Sequence, residues 1–256
     1  MSNLLIETKD GVRTITLNRP DRHNAFDDAL IKELTEAFSA VEDVRAVVLQ
    51  STGKSFSAGG DLAWMKRMAA NSPADNLNDA KALSGLMEAM DSCPRPVIGV
   101  VQGAAYGGGV GLVACCDLAV AAETANFCLS EVKLGLIPAA ISPYVVRAMG
   151  GRVARRYSIT AEVFTAATAL SCGLVHEVVP ADRLDEVRDA WLARLAANSP
   201  KAMGAAKRLI RRVADDPLDT PLRDWTAAQI AEIRASDEGR EGVAAFLEKR
   251  KPSWVT

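Results

Sequence analysis

Apolar and polar positions along the chain write out strands and helices in alternation. Residues 4–8 and 12–17 alternate around Lys9-Asp10-Gly11, and Asp-Gly between two alternating runs predicts a hairpin. Residues 18–24 are a loop by composition. Leu30, Leu34, Phe38 and Val41 then recur at helical spacing, with Lys32, Glu33 and Glu36 on the opposite face. Three short apolar runs, 46–50, 96–101 and 118–122, read as buried strands. Leu83, Leu86, Met87 and Met90 mark another helix face, and the polar stretch 70–78 before it predicts a mobile loop. Strands alternating with helices over residues 1–180 predict an α/β core with largely parallel pairing. Past Pro180 only helical spacings remain: Leu184, Val187, Trp191 and Leu195, then Met203, Ala206 and Ile210, then a charged run over 232–250 interrupted near Gly239. The chain therefore divides into an α/β core, 1–180, and an all-helical part, 181–256.

The chemistry gathers around 95–144. A buried strand leads through Gln102-Gly103-Ala104-Ala105-Tyr106 into Gly107-Gly108-Gly109-Val110-Gly111, where a helix begins. Glycines there let backbone N–H groups approach a ligand closely, which suits a developing oxyanion in a dry site. A second small-residue turn, Ser57-Ala58-Gly59-Gly60-Asp61, also lies between strand and helix. Two such turns could each give one N–H to the same oxygen. Two unrelated turns of a repeating fold would look the same in sequence. Glu131, between Leu129 and Leu134, reads either as a solvated charge or as a carboxylate on a cleft wall, where burial would raise its pKa. Trp64, Met65 and Met68 keep helical spacing behind the first turn and are either core or pocket lining.

Composition narrows the function classes. The 256 residues are 49% hydrophobic and 24% charged, with a net charge of −2, as in soluble globular proteins. With a pI near 5.8, neither nucleic acid nor an anionic membrane is an expected partner. No apolar run approaches a membrane span, and strand-like sequence by Leu4 predicts no signal peptide. The five cysteines show no C-x-x-C spacing and lie in or beside apolar runs, so reduced thiols and a cytoplasmic location are expected. Gly53-Lys54-Ser55 resembles a P-loop end, but that motif needs glycine where Val48 stands. The Gly107 cluster does not spell G-x-G-x-x-G, and Ser57 has no G-x-S-x-G elbow. His23 and His176 lack partners at metal spacing, and His176 reads as an ordinary strand position. Neither metal nor cofactor is expected. Lys207, Arg208, Arg211 and Arg212 form a basic patch, read as a solvated helix face before a phosphate contact.

Taken jointly, Asn18-Arg19-Pro20 with Asn24-Ala25, Ser57-Ala58-Gly59-Gly60-Asp61, Gly107-Gly108-Gly109, Cys116-Asp117 and Glu131 to Pro138 resemble the enoyl-CoA hydratase/isomerase (crotonase) family over nearly the full length. The resemblance implies a spiral core of ββα turns with a C-terminal helical trimerisation domain, as a trimer or dimer of trimers. It implies an acyl-CoA thioester substrate whose carbonyl oxygen lies between the N–H groups of Ala58 and Gly108. Gly59, Gly60 and Asp61 of the first turn, with Trp64 behind it, are expected against the substrate, Glu131 as the catalytic residue, and Lys54, near the Ala58 turn, as a candidate for the adenine end of CoA.

There is one departure. Typical hydratases of the family carry a second glutamate two residues after the triple glycine, and Gly111 stands there. Hydration with one water held between two glutamates is thereby excluded, and single-glutamate Δ3,Δ2-enoyl-CoA isomerases are part of the same family. Asp61 to Met65, Val101 to Ala105, Leu129 to Val132, Ile141 to Val146 and the tail from Glu241 to Arg250 look like bacterial methylglutaconyl-CoA hydratases. Those enzymes and the related isohexenylglutaconyl-CoA hydratases also tend to lack the first glutamate. The expectation is syn addition of water to an α,β-unsaturated acyl-CoA. Either the substrate's distal carboxylate or a hydroxyl of Ser142 or Tyr144 would hold the water, and Gly111 would make room for that carboxylate or for a β-methyl branch. The rivals are isomerisation by Glu131 alone and a non-catalytic acyl-CoA binder.

Overall fold

The computed structural model describes residues 2–255. It opens with the expected hairpin, β1 (Leu4–Lys9) and β2 (Val12–Leu17), paired antiparallel around Asp10-Gly11. Helix α1 (Asp28–Ser39) follows, capped by Asp27, whose carboxylate accepts from the Leu30 N–H and whose first-turn donor would otherwise be unmatched. Three successive units then repeat one plan. Strands β3 (Ala46–Ser51) and β4 (Ser55–Ser57) lead to α2 (Leu62–Met68) and α3 (Pro73–Asp91). Strands β5 (Val97–Val101) and β6 (Ala104–Tyr106) lead to α4 (Gly108–Ala114). Strands β7 (Leu118–Ala122) and β8 (Asn126–Cys128) lead through a 3₁₀ turn, Glu131–Leu134, to α5 (Ser142–Met149).

Each unit gives its first strand to one sheet and its second to another. The large sheet runs β1-β2-β3-β5-β7 and ends on β10 (Glu177–Val179); the small one runs β4-β6-β8-β9, with β9 at Phe164–Thr165. All pairs are parallel except β1–β2 and β8–β9. This is the spiral of ββα turns. Its middle strands are buried along almost their whole length, which is why 46–50, 96–101 and 118–122 read as unbroken apolar runs. Helices α6 (Gly151–Thr160) and α7 (Ala166–Ser171) flank β9.

Four helices complete the described chain: α8 (Leu184–Ala196), α9 (Pro200–Asp215), α10 (Thr220–Ala235) and α11 (Asp237–Leu247). The helical run begins after the 3₁₀ turn Ala181–Arg183, and α8 buries Leu184, Val187 and Trp191 in the same core as Phe127 and Val120. By packing, the helices that stand apart are α9–α11. Helix α9 presses on the body at Gly204, where a Cβ would lie 2.6 Å from the Pro94 carbonyl oxygen. Arg45 ties the tail down by donating to the carbonyls of Ala196, Asn198 and Trp254.

Several local expectations change. Residues 73–78 are helical, because Ser72 caps α3 by accepting from the Asp75 N–H and Pro73 fits the first turn. The break in the charged tail falls at Ser236, which caps α11 and accepts from the Gly239 N–H. His176 lies just before β10, where its Nδ1 accepts from the Ala119 N–H. In the basic patch, Lys207 pairs with Asp117 at 2.7 Å, Arg211 with Asp91 and Glu88, and Arg212 with Asp216 while stacking on Trp225. Those three charges are already matched by carboxylates, which favours a structural role over phosphate binding.

Candidate active site

The loop after β2 holds the first turn in place. Asn24 is fully buried in a left-handed conformation that asparagine tolerates well. Its Oδ1 accepts from the Arg19 N–H at 2.8 Å, and its Nδ2 donates to the carbonyls of Thr52 and Ser55. Phe26 then bridges the turn: its N–H donates to Gly59 O and its carbonyl accepts from the Asp61 N–H, both at 2.7 Å. Asp61 caps α2 through the N–H groups of Ala63 and Trp64 and faces Arg22 and Arg19. Burial by itself would raise the Asp61 pKa. The two backbone N–H groups and the two guanidiniums outweigh it and hold the carboxyl below its ordinary value.

The second turn is built from bare backbone. Gly107 has φ +50° and donates to Cys128 O, and α4 starts at Gly108. The turns meet face to face: a Cβ on Gly59 (φ +86°) would lie 2.9 Å from Tyr106 O and 3.7 Å from Gly107 Cα. Only glycine allows both the backbone conformation and that approach.

The pair of free donors is not the expected one. The Ala58 N–H donates to His23 O at 2.9 Å and is used up. Among the described residues, the N–H groups of Gly60 and Gly108 have no protein acceptor. Gly60 and Gly108 both line the same cavity as Ala58, so the free N–H groups belong to the two glycine turns on that cavity.

Glu131 opens the 3₁₀ turn and faces the second glycine turn, its Oε1 3.1 Å from where a Gly107 Cβ would be. Its Oε2 is buried without a hydrogen-bond partner. Desolvation pushes the Glu131 pKa up, against a smaller opposing pull from its own backbone N–H. The surrounding cavity is about 490 Å³. Trp64, Met65, Met68 and Leu83 form one wall, Leu134 to Ile141 the other, and Phe26 lies beneath the glycines. Its charged lining residues are Glu131 and Asp79, and the Asp79 carboxylate already accepts from Asn71. Among the described residues no three His, Cys, Asp or Glu side chains cluster to hold a metal.

An unpartnered carboxylate beside the second glycine turn, on an apolar cavity that Gly60 and Gly108 also line, suits enolate chemistry. A model of the enoyl-CoA hydratase/isomerase family matches residues 7–256. The chain belongs to this family. It is 33% identical over 259 aligned residues to the 2,3-dehydroadipyl-CoA hydratase of Escherichia coli, covering 99% of each chain. Among solved structures, an enoyl-CoA hydratase from Shewanella pealeana superposes with a TM-score of 0.95 at 46% identity, covering 99% of this chain and 96% of that one. Pseudomonas aeruginosa AtuE does so with a TM-score of 0.95 at 38% identity over the whole of both chains.

Against this family frame, the sequence-predicted residues separate. Ala58, Gly59, Gly60, Trp64, Gly108 and Glu131 come together on the cavity, with Asp61 just behind the first turn. Lys54 is exposed and outside the cavity lining. The Ser142 hydroxyl donates to Ala139 O, and the Tyr144 hydroxyl points to Glu88; neither lines the cavity, so neither can hold a water there. Gly111 does not reach it either. A Cβ there would lie 2.3 Å from Ile141 Cγ2, so the space expected for substrate is filled by Ile141. Phe26, Leu83 and Ile141 were not foreseen as site residues. Ala25-Phe26 adjoined a recognised motif, but nothing in the sequence placed the ring under Gly108.

Proposed function

We propose that this protein is an enoyl-CoA hydratase that adds water to an α,β-unsaturated acyl-CoA, with 3-methylglutaconyl-CoA or a related branched glutaconyl-CoA as substrate. The observation that carries the reading is the buried, unpartnered Glu131 carboxylate beside the glycine turn whose companion donors, Gly60 and Gly108 N–H, are unsatisfied. One carboxylate suffices if it handles one proton twice. Ionised Glu131 takes a proton from water as the water oxygen bonds to the β-carbon, and the double-bond electrons move to the thioester oxygen. The two N–H groups stabilise that enolate, each donor being worth about 3 kcal/mol in such sites. The enolate then re-forms the carbonyl as the α-carbon takes the proton from Glu131, which is ionised again. The reaction needs no metal or further cofactor.

The glutaconyl assignment rests on the sequence motifs. No Lys or Arg lines the cavity, so within one chain the acyl group is selected by shape rather than by an ion pair. A homotrimer or dimer of trimers fits the apolar side chains of Val243, Phe246 and Leu247 left exposed on α11. Five free cysteines support a reducing, cytoplasmic setting, and no helix among the described residues is long and apolar enough to cross a membrane.

The second reading is Δ3,Δ2-enoyl-CoA isomerisation. It is favoured by one observation: Ile141 seals position 111, so no second carboxylate can enter there. Turnover of 3-methylglutaconyl-CoA, crotonyl-CoA and a 3-enoyl-CoA, with products weighed by mass spectrometry, separates the readings. A product one water heavier supports hydration. A shifted double bond without added water supports the isomerase, and thioester binding with no turnover would leave a non-catalytic binder.

A further inference from the structure

Gly111 and Ile141 are thirty residues apart, yet one defines what the other can be. Gly111 sits in α4, buried, where a Cβ would lie 2.3 Å from Ile141 Cγ2, 2.8 Å from Ile141 Cβ and 3.2 Å from Met87 Sδ. Real Cβ atoms do not approach neighbours as closely as the two Ile141 distances, the Met87 contact is tight, and neither neighbour is free to withdraw. Met87 is fully buried and Ile141 is 2% exposed. Ile141 is also held by its backbone, since its carbonyl accepts from the N–H groups of Tyr144 and Val145 as α5 begins. The side chain has two faces. One fills the hollow over Gly111, and the other lines the cavity that also holds Glu131.

The geometry points to Ile141 as a specificity-determining residue, which closes the acyl end of the cavity by occupying the hollow over Gly111. This rests on the proposed acyl-CoA site. The glycine at 111 is then required by Ile141 and not by the substrate. Trimming Ile141 joins the hollow to the cavity and admits longer acyl chains.

Two measurements test this, and neither requires turnover. The first is binding of butyryl-CoA and octanoyl-CoA by calorimetry to wild type, Ile141→Val and Ile141→Ala. Because one methylene of pocket space changes discrimination by about 10-fold or more, the octanoyl-to-butyryl affinity ratio should rise about 10-fold in Ile141→Ala, with Ile141→Val between. A ratio unchanged within about 2-fold would overturn the assignment. The second is a thermal-unfolding cycle. Gly111→Ala should lower the midpoint in the wild-type background and much less in Ile141→Gly, where the two closest contacts are gone. An equal loss in both backgrounds means that Ile141 does not close position 111, and the assignment falls. If wild type binds both thioesters but hydrates no enoyl-CoA, the hydratase reading fails while both measurements still decide the role of Ile141.

Discussion

Replacing Glu131 with glutamine should make the protein more stable and nearly inactive at once. The side chain keeps its size, but the carboxylate charge is gone. In the folded protein Oε2 is buried with no partner, and desolvation raises the pKa above its ordinary 4.5. A glutamine amide there is still buried but uncharged, so what the substitution removes is the extra desolvation cost of the charge, about 1–3 kcal/mol. Glu131 keeps some exposure, so the lower part of that range, about 1–2 kcal/mol, is expected. In a chain of this size that corresponds to a midpoint about 2–8 °C higher. The sign with pH follows from proton binding. Between the unfolded pKa and the raised folded one, the folded state binds more protons, so stability falls as pH rises through that window. Wild type therefore carries the full penalty only above the raised folded pKa and none below about pH 4.5. The gain in Glu131→Gln should be present near neutrality and vanish on acidification. Removing the proton carrier should lower kcat about 10²–10⁴-fold. Calorimetric or fluorescence melting across pH, with hydration of crotonyl-CoA followed in parallel, reads both effects. A variant less stable than wild type at neutral pH, or one that keeps its turnover, would refute the placement of this carboxylate.

Further outcomes follow from the same geometry. Because Glu131 must be ionised to take a proton from water, kcat/KM should show an acid limb with an apparent pKa above 4.5; a limb at or below that value would contradict the buried setting. Gly108→Ala would put a Cβ 2.4 Å from Phe26 Cε2, and Phe26 is 1% exposed. Displacing that donor should lower kcat by about 10²-fold, measured beside a far-ultraviolet spectrum to establish folding, and unaltered kcat would remove Gly108 N–H from the oxyanion site. Asn24→Ala strands the Arg19 N–H and the Thr52 carbonyl, while the Ser55 carbonyl keeps Ser51 Oγ and Gln102 Nε2 as donors. It should cost about 3 kcal/mol in urea denaturation, and a loss below about 0.5 kcal/mol would mean that the Arg19–Asn24 loop does not fix the first turn.

The sequence alone determined the parts whose physics is local. The Asp-Gly hairpin, the amphipathic face of α1, the unbroken apolar strands and the start of the helical tail are each set by residues close together in the chain. The two glycine turns were legible in the same way, and Glu131 stood out as a lone carboxylate among apolar neighbours. Ser72-Pro73 with Asp75 was a legible helix start obscured by the polarity of its surroundings. What the chain order could not fix were matters of which groups meet. Whether Ala58 or Gly60 offers a free N–H depends on His23, whose carbonyl arrives from another loop and takes the Ala58 donor. Lys54, Ser142 and Tyr144 have suitable chemistry for a site, but their directions were decided by β4 and α5. Gly111 looked like room made for a substrate, and became a close contact only when α5 brought Ile141 over it. Backbone preference and hydrophobic period act over a few residues, whereas hydrogen-bond satisfaction and excluded volume act between segments that only the folded chain brings together.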